Sequence, residues 1–171
     1  MALALLGMED WVLQPWSVYA TDVGRMVLAA GCGAVVGWER EAHEKAAGLR
    51  THMLLAIGAC LFSLVALRVH EDVAQTDVLR LLQGMLIGTG FICAGVIFRE
   101  AGSVKGLTTA TGLWVMGAVG LAVGVGQYFL ALVATVITVA VMEYARRTKH
   151  KSRQSGEPPG PKVRTPFHSV P

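Results

Sequence analysis

Long apolar runs alternate with short polar ones along this chain. Five stretches approach the roughly 20 helical residues that cross a hydrocarbon core about 30 Å thick: positions 22–38, 51–69, 78–98, 107–125 and 127–144. The first is the shortest and borrows Val18 to Thr21 to reach across. None carries a carboxylate at mid-length, and none shows the polar face at helical spacing that a buried helix of a soluble protein needs. The pattern predicts an all-α membrane protein of about five transmembrane helices. Three divisions follow: an extracytoplasmic or interfacial segment over 1–21, a transmembrane domain over 22–145, and a basic, proline-rich, disordered tail over 146–171.

Composition sharpens this picture. The chain is 53% hydrophobic and only 16% charged, and 20 of its 171 residues are glycine. Mean hydropathy is +0.51. Glycine at about 12%, against a usual value of about 7%, suits helices that approach closely in lipid. Gly33-x-x-x-Gly37, Gly84-x-x-x-Gly88 and Gly120-x-x-x-Gly124 have the spacing for it, and Gly90 and Gly95 extend the third run as "GTGFICAG". These read as helix-packing positions. A backbone-exposing substrate path is the functional alternative for the third span.

Basic residues set the expected orientation. The loops after the first and third spans and the tail together hold 12 Lys and Arg, the opposite side holds Arg68 and Arg80, and Arg25 lies within the first span beside Asp22, its expected partner. The N-terminus is expected outside and the tail in the cytoplasm. The opening "MALALLGMEDW" has no basic region of the secretory kind; Trp11, Trp16 and Tyr19 read instead as an interfacial belt. Cys32, Cys60 and Cys93 all fall within spans, so they read as packing residues and not as a disulfide framework or a zinc site.

Two polar connectors share a signature. "GWEREAHEKAAGLRTH" joins the first two spans and "IFREAGSVKGLTTATG" joins the third and fourth. Each has Arg-Glu, a short gap, then Gly-Leu and at least one threonine. The correspondence predicts a parallel repeat, two helical hairpins plus a fifth helix. Gly48 and Gly106 permit the turns, and Thr51, Thr108 and Thr109 are candidate N-caps. Arg40, Arg50 and Arg99 beside Glu39, Glu41 and Glu100 suggest one ion-pair layer across both hairpins, with Arg50 closing it. These eleven residues are the candidate organising site. No catalytic constellation, cofactor motif or nucleotide-binding loop is evident, His52 has no nucleophile partner nearby in sequence, and the metal question stays open.

Those stretches, with "GTGFICAGVIFREAGSVKGLTTATGLW" and "GAVGLAVGVGQYFLALVAT", resemble the MgtC/SapB family of bacterial inner-membrane proteins over roughly positions 22–142. Ile92-Cys93 replaces the Leu-Gly common in the family. The resemblance implies a five-helix N-terminal membrane domain. It also implies a part in magnesium or membrane-energy homeostasis, exerted on other membrane proteins or through self-association, within the lipid bilayer of the inner membrane. Longer members of the family add a soluble C-terminal domain, so roles that depend on it are not implied for these residues. The resemblance suggests neither an enzyme nor a nucleic-acid partner. Two functional classes emerge: a non-enzymatic regulator that docks to another membrane protein, and a small cation transporter with Glu39, Glu41, Glu44 and Glu100 at its mouth. Magnesium takes oxygen ligands and keeps several waters, but Arg40, Lys45 and Arg50 in the same loop oppose a cation funnel.

Overall fold

A computed structural model describes residues 15–72, 78–100 and 103–154. Five helices follow in order: α1 (Trp16–Glu41), α2 (Leu49–Asp72), α3 (Val78–Ala94), α4 (Leu107–Gly124) and α5 (Tyr128–Gln154). A two-stranded antiparallel ribbon, β1 (Phe98–Glu100) and β2 (Ser103–Lys105), links α3 to α4 with Arg99 opposite Val104. Among the described residues, three helices are long and apolar enough to cross a membrane: α1, α2 through Val69, and α4. Helix α3 leaves helical geometry at Ala94 and turns at Gly95 and Val96, short of the expected Phe98. At 17 residues it covers about 25 Å.

The helix ends run past the expected division points. Helix α1 already begins at Trp16, so positions 16–21 are helical. Trp16 and Tyr19 meet edge to face, with centroids 6.4 Å apart; Trp11 lies outside the described residues. At the other end α5 does not stop at 145 but continues to Gln154. Lys, Arg and Gln are good helix formers, and Glu143 accepts from Arg147 Nε at 3.1 Å, a pair one turn apart. Two compact units divide the chain, Met1–Val139 and Ala140–Pro171. The rest of the expected tail, 155–171, lies outside the described residues.

Within the first unit α2 is central, with α1 and α4 packed on it, and α3 lies mainly against α4. Glycine makes the close approaches. A Cβ on Gly33 would stand 2.6 Å from the carbonyl oxygen of His52, and one on Gly37 would stand 2.7 Å from Leu49 Cα. Further along α2, a Cβ on Gly120 would run into the Ala56 carbonyl and stand 2.7 Å from Ala59 Cβ, and one on Gly124 would meet Ser63 Cβ at 2.5 Å. Lipid tails are as apolar as leucine, so only close packing and polar bonds draw such helices together. Gly84, Gly88 and Gly90 depart from expectation: no neighbour stands within 4 Å of a Cβ at any of them. They are not packing positions among the described residues. Gly95 meets only the Ile92 carbonyl of its own turn, at 3.3 Å.

Helix α4 contributes the bulkiest interior, with Leu113, Met116, Val119 and Val123 fully buried. A smaller cluster of Ala47, Cys93, Ala110 and Leu113 brings the first connector, α3 and α4 together. The three cysteines are buried and unbonded to one another. At the end of the bundle away from the α1–α2 connector, Arg25 does not pair with Asp22. Its Nη1 donates to the Gly124 carbonyl at 3.0 Å and its Nε to the Tyr128 hydroxyl at 2.9 Å. A cation there satisfies the carbonyl end of α4. Asp22 takes Arg68 of α2 instead, and that guanidinium lies over the Tyr19 ring.

The glycine contacts generate a direct test. Gly120→Ala, which must push α4 off α2, is expected to cost about 1–3 kcal/mol and to lower the thermal midpoint of the protein in detergent. Gly90→Ala, made where nothing stands within 4 Å, leaves the midpoint unchanged or raises it. Equal midpoints for the two variants would remove the close contact from the account of stability.

Candidate functional site

The candidate site forms where α1 ends and α2 begins. Glu39, Arg40 and Glu41 occupy the last turn of α1, followed by a connector in which Glu44 takes a left-handed backbone (φ 50°). Such a φ is uncommon outside glycine, and here it lets Lys45 N–H reach back to the Arg40 carbonyl at 3.1 Å. Helix α2 then starts at Leu49. Its free N–H is capped by a side chain from the helix before it: Leu49 N–H donates to Glu41 Oε2 at 2.8 Å. A carboxylate also suits the positive end of the helix dipole. The threonine cap expected here is therefore replaced by Glu41, and Thr51 lies inside the first turn of α2.

The charges are arranged differently from one continuous layer. Arg40 is the buried cation, only 5% exposed. Its Nε donates to Glu39 Oε2, its neighbour in sequence. His43 Nδ1–H donates to the Glu39 carbonyl at 2.6 Å and lies 3.4 Å from Glu39 Oε1. Arg50 is exposed and makes no hydrogen bond or ion pair with the described residues. It closes no layer, because its position on α2 turns it away from α1. Arg99 is exposed on β1, and the side chain of Glu100 lies outside the described residues. No ion pair joins the two connectors among the described residues.

The second connector reaches its helix by another route. Gly106 caps α4 in the left-handed region (φ 86°), with no side-chain cap. A Cβ there would collide with the Val96 carbonyl, so this turn requires glycine. Thr108 is exposed, Thr109 is buried within the helix, and neither supplies the expected cap. The shared Gly-Leu thus starts both helices, one through Glu41 and the other through backbone geometry alone.

His52 is the residue that sequence reading undervalued. It is fully buried, with Nδ1–H donating to the Gly48 carbonyl at 2.8 Å. That bond places a proton on Nδ1, so the neutral ring carries its lone pair on Nε2. Nε2 and Glu39 Oε1 are buried acceptors without a hydrogen-bond partner among the described residues. The available signal was spacing: Gly33 and Gly37 on one helix face a large residue one turn into the next. Among the described residues no three His, Cys, Asp or Glu side chains converge as a metal site. The site therefore has one buried ion pair, one cross-helix cap and two open acceptors at a closely packed helix crossing.

Comparison with known proteins now decides the family. The MgtC family model matches residues 26–151, which takes in the site, all of α2 to α4 and most of α1 and α5. The chain belongs to the MgtC family. It is 40% identical over 125 residues to a protein of Escherichia coli K12 named "Putative magnesium transporter YhiD", covering 70% of this chain and 58% of that one. Protein MgtC of Brucella abortus (strain 2308) is 38% identical over 126 residues, covering 74% and 52% respectively. Protein SrpB of Synechococcus elongatus is 34% identical over 146 residues, covering 78% and 80%. The chain thus spans little more than half the length of YhiD and MgtC. No solved structure matches it. Family and apolar helices together make it a membrane protein.

The buried pair can be tested by comparing two arginines. Arg40→Ala leaves Glu39 as an uncompensated carboxylate, a loss of about 3–5 kcal/mol for a buried pair, and is expected to lower the thermal midpoint sharply. Arg50→Ala is expected to leave stability nearly unchanged, since exposed charges contribute about 0–1 kcal/mol. Matching melts in detergent for the two variants would dissolve the distinction.

Proposed function

We propose that this MgtC-family protein is a non-enzymatic component of the bacterial inner membrane that adjusts magnesium or membrane-energy homeostasis by docking to another membrane protein. The name of YhiD supports the magnesium connection. The observation that carries the mode of action is the employment of the acidic residues. Glu41 caps α2, and Glu39 holds Arg40 with one oxygen. Both are committed to the helix crossing, where a cation-gathering mouth would present them outward beside few cations. Meanwhile the outer face of α3 leaves Ile87 and Phe91 uncovered, and α5 leaves Phe129, Leu130, Val136 and Ile137 uncovered. In a bilayer these faces are available to lipid or to another helix.

A small cation transporter is the second reading. It is supported by the name of YhiD and by the two buried acceptors, Glu39 Oε1 and His52 Nε2. Liposomes containing the purified protein and an entrapped magnesium-sensitive dye separate the two. The expected outcome is no influx above protein-free liposomes after external magnesium is added. Influx that requires the protein and is lost in Glu39→Gln would install the transporter reading in place of the regulator.

The proposed orientation places the N-terminus outside and the α1–α2 connector in the cytoplasm, on the distribution of Lys and Arg. Ser17 and Ala46, both exposed, lie at opposite ends of α1 and its connector. In a variant lacking the native cysteines, Ser17→Cys is expected to react on intact cells with a membrane-impermeant thiol reagent. Ala46→Cys is expected to react only after permeabilisation. Labelling of Ala46→Cys on intact cells would invert the topology.

A further inference from the structure

Helices α2 and α3 do not close on each other along their length. A groove of about 620 Å³ lies between them, within the range of small-molecule sites. Its α2 wall carries Arg50, Leu54, Gly58 and Phe62 at every fourth position, and Gly88 and Ile92 stand on the α3 wall. Leu54, Phe62 and Ile92 are exposed, so the groove opens sideways, toward lipid. Gly58 and Gly88 have nothing within 4 Å of a Cβ position, so the floor lies at backbone level. Thr89 is turned away from any ligand's polar atoms, with its hydroxyl donating to the Met85 carbonyl at 3.0 Å. Polarity is concentrated at one end, where Arg50 is exposed and unpaired among the described residues.

Length discriminates among occupants. From Arg50 to Phe62 the α2 wall rises about 18 Å, while half of a hydrocarbon core is about 15 Å. Helix α2 itself runs on to Asp72, and α3 begins before Gly84. The groove therefore starts at headgroup level, beside the connector, and ends near the bilayer midplane. A partner helix, about 10–12 Å across with side chains, would run past both limits. A molecule with an anionic head and an apolar tail one leaflet long matches the charge, the lining and the length together. We infer that the groove holds an acyl chain of an anionic phospholipid whose phosphate pairs with Arg50. Basic positions between membrane helices are suited to such headgroups. With the orientation proposed above, the lipid comes from the cytoplasmic leaflet.

The full chain in detergent, offered equal amounts of phosphatidylglycerol and phosphatidylcholine with identical tails, tests this by native mass spectrometry. The wild type is expected to retain one phosphatidylglycerol in about fivefold preference, the scale of one basic residue near a lipid surface. Arg50→Ala equalises the two lipids, and Arg50→Lys keeps most of the preference. Gly58→Leu and Gly88→Leu, on opposite walls, each lower retention of both lipids. Thermal melts identify any variant that has lost its fold, and the other wall's variant then decides. Lys45→Ala, exposed in the connector and outside the groove, changes nothing. A preference that survives Arg50→Ala, retention that survives both leucine variants, or no preference in the wild type overturns the inference. So does a wild-type mass of two chains that falls to one in Gly88→Leu, since a second copy would then fill the groove.

Discussion

Backbone approach to α2 is the constraint on which the rest of the structure depends. Within hydrocarbon, exclusion of water does not drive one apolar helix onto another, so contact must come from shape. Gly33 and Gly37 bring α1 against the start of α2, and Gly120 and Gly124 bring α4 against its middle. Each contact is with a carbonyl or an α or β carbon, atoms that cannot rotate aside. The glycines therefore fix helix positions more firmly than interlocking side chains do. Once α1 lies this close, the side chain of His52 has no route to water, and its Nδ1–H finds the carbonyl one turn back.

Polar bonds then lock the two ends of a framework that packing has already placed. At one end Arg68 ties α2 to Asp22 of α1, while Arg25 of α1 reaches Gly124 and Tyr128. At the other end Glu41 of α1 caps α2. The two ends differ in cost. The Asp22–Arg68 pair is partly open to the interface, where an ion pair contributes about 0–1 kcal/mol. Arg40 and Glu39 are withdrawn from solvent, so neither tolerates loss of the other. Helix α1 carries a member of every one of these bonds, through Asp22, Arg25, Glu39, Arg40 and Glu41.

Much of this was legible in the sequence because period and composition report on helices in lipid directly. The five helices follow from the five apolar runs, and Gly33, Gly37, Gly120 and Gly124 follow from four-residue spacing. The same spacing misled at Gly84 and Gly88, because a small-residue stripe gives the capacity for close approach without naming a neighbour. Arg25 pointed to Asp22 one turn away, whereas the chain offered it the unsatisfied end of α4 some hundred residues on. The burial of Arg40 in place of Arg50 was hidden for a related reason. The two flank one short connector, and only the crossing of α1 on α2 decides which of them faces inward.

The two connectors show how one sequence signature serves two different ends. Both place Gly-Leu at a helix start. In the first, Gly48 keeps an ordinary backbone and stands against the Glu41 side chain, and a Cβ there would meet Oε2 at 2.7 Å. Cap and close approach are then one feature, and α1 and α2 are drawn together from their first turns. In the second, Gly106 turns through a left-handed conformation against Val96, and a two-stranded ribbon separates α3 from α4. No α3 glycine meets a backbone across the seam with α2. The α1–α2 hairpin is closed from its first turns, α3 rests mainly on α4 and not on α2, and the groove beside Arg50 is the space left between α2 and α3.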